Sequence, residues 1–336
     1  MTTPFMNRIL VIFFIIASVA SCASVVSNRE STSAPDSPTS TAQGSNSPSS
    51  FSPVLNPVIP DRLTFAGQDF EFGRTDMYER LDRELASVAY THGATLLMIK
   101  RANKYFPLMA PILEKNGIPL DFLYLACVES SLNQRAVSPA KAAGFWQFMP
   151  ATAREFGLEV NDGVDERFNL EKATEAACRY LKNSYRRYGN WESVAASYNA
   201  GMARISGELD RQGQDSALDL YLNDETSRYM FRIFAMKLIL ENPAAYGYTL
   251  SADQLYYPTP TRTIEVKETI NDLAVWALDN GTSYQWVKEL NPWLRGRSLP
   301  NKSMRTYSIK VPADKDAIAR PDAGNQKVYN MNFVSK

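Results

Sequence analysis

The sequence predicts a mainly α-helical domain followed by a small α/β domain of strand-helix-helix-strand order. Three observations carry that expectation. Between residues 75 and 242, apolar side chains recur at three- and four-residue steps without strand-like alternation. The breaks in the pattern fall at Gly, Asn and Pro residues of the kind that start and stop helices. After about residue 250, short β-branched runs flank two brief helical stretches.

The elements follow in order. Met77, Leu81, Leu85 and Val88 stand at helical spacing and predict a helix over residues 76–90. Residues 94–105 and 108–115 predict two more, the second ended by Asn116 and Gly117. Pro119 has no N–H to lose at a first helical position, so it can open a helix that runs through residues 120–130. Pro150 begins a short helix that Gly157 closes. Asn169 is a candidate N-cap for residues 170–188, where Gly189 supplies the stop. Asn190 is placed to cap residues 191–198. The last long helix spans residues 224–241, with acids in its first turn, where the helix dipole favours them, and Pro243 just past its end. In the C-terminal part, residues 261–266 and 306–311 read as strands and 271–279 and 283–290 as helices. The expected limits are residues 61–250 for the helical domain and 251–313 for the small one. Residues 314–336 have little apolar content and are expected to form a loose tail.

The N-terminus reads differently. Arg8 is followed by an apolar run over residues 9–20 and then by Ser21 and Cys22. A basic start, an apolar stretch too short to span a membrane and small residues at its end predict a signal peptide over residues 1–21. Residues 22–60 are rich in Ser, Thr, Pro, Asn and Gly, with few large apolar side chains before Phe51. Such a segment cannot offset its ordering entropy by burial, so a disordered tether is expected.

Composition narrows the chemistry. The 36 basic and 36 acidic residues balance, against the basic excess typical of nucleic-acid binding. The single histidine, His92, argues against His-rich metal sites and Ser-His-Asp catalysis, and its place before Gly93 reads as a helix end. No metal or other cofactor is implied. Asp162, Asp165 and Glu166 read as a solvated loop, without the alternating oxygen ligands and central glycine of a calcium site. Cys127 and Cys178 lie in apolar helical patterns and read as buried free thiols, although an oxidising compartment would permit them to pair.

Within residues 120–130, Phe122, Leu125, Ala126 and Glu129 share one helix face. A carboxyl group therefore ends an apolar stripe. It is either solvated at the stripe's edge or held in a partly dry cleft, where desolvation keeps it protonated for acid catalysis. Periodicity does not choose between these.

Further motifs bear on the choice. Glu129-Ser130-Ser131-Leu132-Asn133 is followed by Ala136-Val137-Ser138-Pro139 and by Ala143-Gly144-Phe145-Trp146-Gln147-Phe148-Met149-Pro150. Ser197-Tyr198-Asn199-Ala200-Gly201 and Glu225-Thr226-Ser227-Arg228-Tyr229 come later. In this order, residues 118–240 resemble the goose-type-lysozyme-like catalytic domain of lytic murein transglycosylases, most of all the membrane-bound D type. The resemblance implies a lysozyme-like fold and makes Glu129 the catalytic acid/base. It implies substrate-binding roles for Ser138, Gln147, Met149, Tyr198, Asn199 and Tyr229, with the Tyr198 hydroxyl near the catalytic carboxyl and Tyr229 lining the cleft. Ser197 and Phe145 depart mildly from the family pattern, at positions commonly Ala and Leu or Ile. The implied substrate is the glycan strand of peptidoglycan. Glu129 would protonate the oxygen between N-acetylmuramic acid and N-acetylglucosamine, then take the proton of the muramoyl 6-hydroxyl to give a 1,6-anhydro sugar. A water-using muramidase and a non-catalytic peptidoglycan-binding lipoprotein are the alternatives.

Two further resemblances complete the reading. Val19-Ala20-Ser21-Cys22 resembles a lipoprotein lipobox, which implies cleavage before Cys22, its lipidation and a membrane anchor in the cell envelope. Ala23 in place of Asp points to the periplasmic face of the outer membrane. Residues 264–311, with Glu268-Thr269-Ile270 and Leu290-Asn291-Pro292, resemble a LysM module that binds glycans. Lys267-Glu268 replaces its usual Gly-Asp turn, so a packing module without sugar binding is the alternative.

Overall fold

A β-hairpin opens the fold of residues 56–334, which the computed structural model describes. Strands β1 (Arg62–Phe65) and β2 (Gln68–Glu71) pair antiparallel, with Leu63 opposite Phe70. Ala66 and Gly67 both take positive φ, 53° and 81°, as the tight turn between twisted strands requires. Leu63, Phe65, Phe70 and Phe72 alternate inwards, and the last three rest on Phe234. Their alternation is the local signal for this hairpin, which the helical reading passed over. The expected signal peptide, Cys22 and the tether up to residue 55 lie outside the described residues.

Helices α1 (Thr75–Tyr90), α2 (His92–Lys115), α3 (Phe122–Ser130), α4 (Pro150–Glu155), α5 (Leu170–Tyr188), α6 (Trp191–Ala200), α7 (Met202–Gln212) and α8 (Asp224–Glu241) follow. Asn169 and Asn190 cap α5 and α6 through side-chain oxygens, and Gly189 ends α5 at φ 71°. His92 opens α2. One expectation is corrected: the separate helices at 94–105 and 108–115 are the single helix α2, which runs through Pro107 and Pro111. An interior proline costs about 3 kcal/mol. Here the buried stripe from Met98 through Ile99, Ala102, Phe106 and Met109 to Leu113 is unbroken, and its burial outweighs the local cost. Helix α8 is central, buried at Phe231, Ile233, Phe234, Ile239 and Leu240, with α1, α3 and α6 packed on it. Helix α7, which buries only Ile205, gave no apolar stripe to read.

The small module matches the expected order: β3 (Thr261–Val266), α9 (Leu273–Asp279), α10 (Tyr284–Leu290) and β4 (Tyr307–Pro312). Strands β3 and β4 pair antiparallel with Ile264 opposite Ile309. The module is docked on the helical domain, because its core also takes in Ala143, Val164 and Phe168. The Asp165 N–H donates to the Trp293 carbonyl and the Arg295 N–H to the Gly163 carbonyl, both at 2.9 Å.

That docking corrects a second expectation. Asp165 and Glu166 are buried. Asp165 accepts from Arg167 at 2.9 and 2.7 Å, while Glu166 pairs with Lys172 and accepts the Glu159 N–H at 2.8 Å. Acids so placed require partners, because an unpaired buried charge is far costlier than a paired one. Among the described residues, no three His, Cys, Asp or Glu side chains converge as a metal site needs.

The tail is the third correction. Expected to be loose over 314–336, it packs its segment from Val328 to Val334 on the helical domain. The Tyr329 ring meets Phe106 edge-on at 5.5 Å, its N–H donates to Asn103 Oδ1 at 2.8 Å, and Phe333 is buried. A low average apolar content concealed a few well-placed anchors. Cys127 and Cys178 are buried and free. No helix among the described residues is long and apolar enough to cross a membrane.

Candidate active site

Glu129 lies in the last turn of α3, and the backbone beyond it is unusual. Ser131 and Leu132 are both left-handed at φ 52°. Non-glycine residues in that region cost on the order of 1–3 kcal/mol each. The complete burial of Leu132 offsets this and turns the chain away from the helix axis. Part of the Glu129 surface stays open.

The carboxyl meets α8. The Tyr229 hydroxyl donates to Glu129 Oε1. Glu225, Tyr229 and Arg232 lie along one stripe of α8, at four- and three-residue steps, and all act on the carboxyl. Burial pushes the Glu129 pKa from 4.5 up to about 7; the Tyr229 hydrogen bond opposes the rise, Glu225 adds to it and Arg232 opposes it. Burial, with Glu129 next, holds the phenols of Tyr198 and Tyr229 well above their ordinary value, so both are neutral donors.

The resemblance implies that the Tyr198 hydroxyl lies near the carboxyl; Tyr198 is within electrostatic reach of Glu129, and the hydrogen bond to it comes from Tyr229. The Tyr198 hydroxyl is committed to the Trp146 carbonyl at 2.8 Å, and its ring lies edge-on to Tyr180 at 5.0 Å. Asn199 Oδ1 accepts from Thr226 at 3.1 Å and so links α6 to α8. The influence of Glu225 and Arg232 was missed. Their i, i+4, i+7 spacing with Tyr229 was a usable signal once Tyr229 faced the site.

The loop over residues 136–149 is folded by its own side chains. Gln147, at φ 46°, donates its amide to the Gly144 carbonyl at 2.8 Å and to the Ala136 carbonyl at 3.3 Å. Ser138 Oγ accepts the Ala142 N–H at 3.0 Å. Gly144 has φ 77°, and a Cβ there would meet the Arg167 carbonyl oxygen at 1.9 Å. Arg167 also donates to the Lys141 and Phe148 carbonyls, at 2.7 and 3.0 Å. These bonds commit Ser138 and the Gln147 amide group to holding the loop. Trp146 is core, with its indole N–H donated to Thr174 at 3.0 Å. Met149 remains 36% exposed, as a wall residue would be.

A separate crevice of about 610 Å³ lies between α2, the start of α5 and α10, lined by Lys104, Tyr105, Trp286 and Lys310 among others. Glu129 is not part of it.

Comparison with known proteins bears on both domains. Residues 107–219 match the family described as Transglycosylase SLT domain. Residues 262–315 match the Soluble lytic transglycosylase C-terminal LysM-like domain. Glu129, Ser138, Gln147, Met149, Tyr198 and Asn199 fall inside the first match, and Tyr229 lies beyond it. The chain is 29% identical over 198 residues to membrane-bound lytic murein transglycosylase D of Escherichia coli K12, covering 56% of this chain and 43% of that protein. It thus spans less than half of that relative. It is 37% identical over 95 residues to peptidoglycan transglycosylase gp16 of Escherichia phage T7, covering 27% of this chain and 7% of that one. Among solved structures, the 70 kDa soluble lytic transglycosylase of Escherichia coli aligns at TM-score 0.37 and 21% identity, covering 51% of this chain and 28% of the other.

Proposed function

We propose that this chain, which carries a transglycosylase SLT domain and a LysM-like C-terminal domain, is a lytic transglycosylase that cleaves the glycan strands of murein. One observation carries the mechanism: a desolvated carboxyl, Glu129, with a pKa near 7 and a neutral phenol aimed at it. A group that must give a proton and then take one works best when its pKa lies near the working pH.

In this reading, protonated Glu129 donates to the oxygen between N-acetylmuramic acid and N-acetylglucosamine as that bond breaks. The carboxylate it leaves accepts the Tyr229 hydrogen bond. Glu129 then takes the proton of the muramoyl 6-hydroxyl, whose oxygen bonds to the anomeric carbon. The product carries a 1,6-anhydro ring, Glu129 is protonated again and no water is consumed. Ser138 and Gln147 serve by shaping the loop that walls the cleft, Met149 offers an apolar face to the sugar, and Tyr198 and Asn199 hold α6 against the site. Lipidation at Cys22 and the tether would anchor the enzyme in the cell envelope, with reach from the outer membrane into the periplasm. The LysM-like module adds a glycan contact. Glu129→Gln should abolish cleavage of purified sacculi with the fold intact; near-wild-type cleavage by that variant excludes the mechanism.

A second reading rests on Glu225, a carboxyl near enough to raise the Glu129 pKa. Hydrolases use such a second acid to activate water. Glu225→Gln separates the two: a loss of activity matching that of Glu129→Gln favours a water-using muramidase, and retained activity favours the transglycosylase.

A further inference from the structure

Helix α1 supplies a charge arrangement that the mechanism above does not use. Glu84 is 2% exposed and faces α8. Its carboxyl accepts from Arg228 Nε at 2.5 Å, from Arg232 Nε at 3.2 Å and from its neighbour Arg83 at 3.2 Å. Arg228 and Arg232 stand one turn apart on α8 and bracket Tyr229 in sequence. A buried carboxylate is a costly way to join two helices, since an apolar pair of similar size would do so at least as well. The arrangement makes sense as control of charge.

We propose that Glu84 is a positioning residue for Glu129: by gathering Arg228 and Arg232 it fixes the Tyr229 segment of α8 and restrains the Arg232 cation from ion-pairing with Glu129. The inference rests on Glu129 being the acid. The groups that face Glu129 are few. Helix α8 brings Glu225, Tyr229 and Arg232; α6 brings Tyr198, a neutral phenol. On α2, the Arg101 guanidinium is taken up by the Ser131 carbonyl at 3.0 Å. On α3 itself, Cys127 lies two residues back and so on another face of the helix, and burial holds its thiol neutral. Arg232 is therefore the cation whose freedom matters most. With Glu84 replaced by Gln, the Arg232 charge is no longer compensated and it is free to turn towards Glu129. Both effects favour the carboxylate and drain the protonated form that starts the reaction.

The test is a direct titration of Glu129 by carbon NMR in the full chain labelled at glutamate carboxyls, with Glu129→Gln identifying the signal. Glu84→Gln should lower its midpoint by about half a pH unit or more, and Arg232→Gln should raise it. The double variant should return towards the parent, and Glu84→Asp should retain most of the parent behaviour. The alkaline limb of the cleavage profile should follow the same order. If Glu84→Gln does not fold, Arg232→Gln carries the test alone. Unmoved midpoints in folded variants overturn the proposal. Since the titration needs no turnover, a chain that titrates as expected but leaves sacculi intact would refute the proposed function and not the role of Glu84.

Discussion

The hydroxyl of Tyr229 on α8 donates to the carboxyl of Glu129 on α3, across 100 residues of sequence. It makes a hydrophobic helix end into a candidate acid by giving the carboxylate a partner in a place that disfavours charge. Hydrogen bonds to charged groups are worth about 1.5–3 kcal/mol. Tyr229→Phe should therefore slow cleavage by roughly 10- to 150-fold and raise the Glu129 midpoint further. Kinetics over pH on purified sacculi check this.

Tyr198→Phe should behave differently. Its hydroxyl serves the Trp146 carbonyl, so its loss leaves a buried acceptor unpaired at about 1–3 kcal/mol of stability. Chemical denaturation should report that loss, with a smaller drop in rate than for Tyr229→Phe.

Glu129 itself should cost stability at high pH. Its folded pKa lies above its unfolded value, so the favourable contribution of the protonated acid is fully present below about pH 4.5 and is lost as pH rises through about 7. A rise from 4.5 to about 7 corresponds to roughly 3 kcal/mol. Glu129→Gln should thus be more stable than the parent at pH 8, with the gap closing towards pH 4, as read by urea unfolding at both.

Gly144 is a backbone requirement. Its positive φ, and the 1.9 Å approach that a Cβ would make to the Arg167 carbonyl, leave no room for alanine. Gly144→Ala should destabilise the chain by about 2–4 kcal/mol and displace the 136–149 loop. Calorimetry and amide exchange of that loop measure it.

These residues also show what the chain discloses before folding. The strand-helix-helix-strand module was legible because local signals agree there: the flanking runs are β-branched, and the short stretches between them carry helical spacing. The split of α2 was misread because proline is a local breaker, whereas the stripe that keeps the helix whole pays off only against distant partners. Asp165 and Glu166 looked solvated because their burial depends on Arg167, Lys172 and a module more than a hundred residues on. Glu129 and its motif were legible as residue types. That Tyr229 holds the carboxyl while Tyr198 holds a loop carbonyl depends on how α6 and α8 cross α3, which no local pattern encodes.

The most direct test of the central claim is mass spectrometry of the fragments that the purified chain releases from sacculi. The account predicts muropeptides ending in 1,6-anhydro-N-acetylmuramic acid, absent with Glu129→Gln. Fragments heavier by one water per cut, with reducing muramic ends, would contradict it.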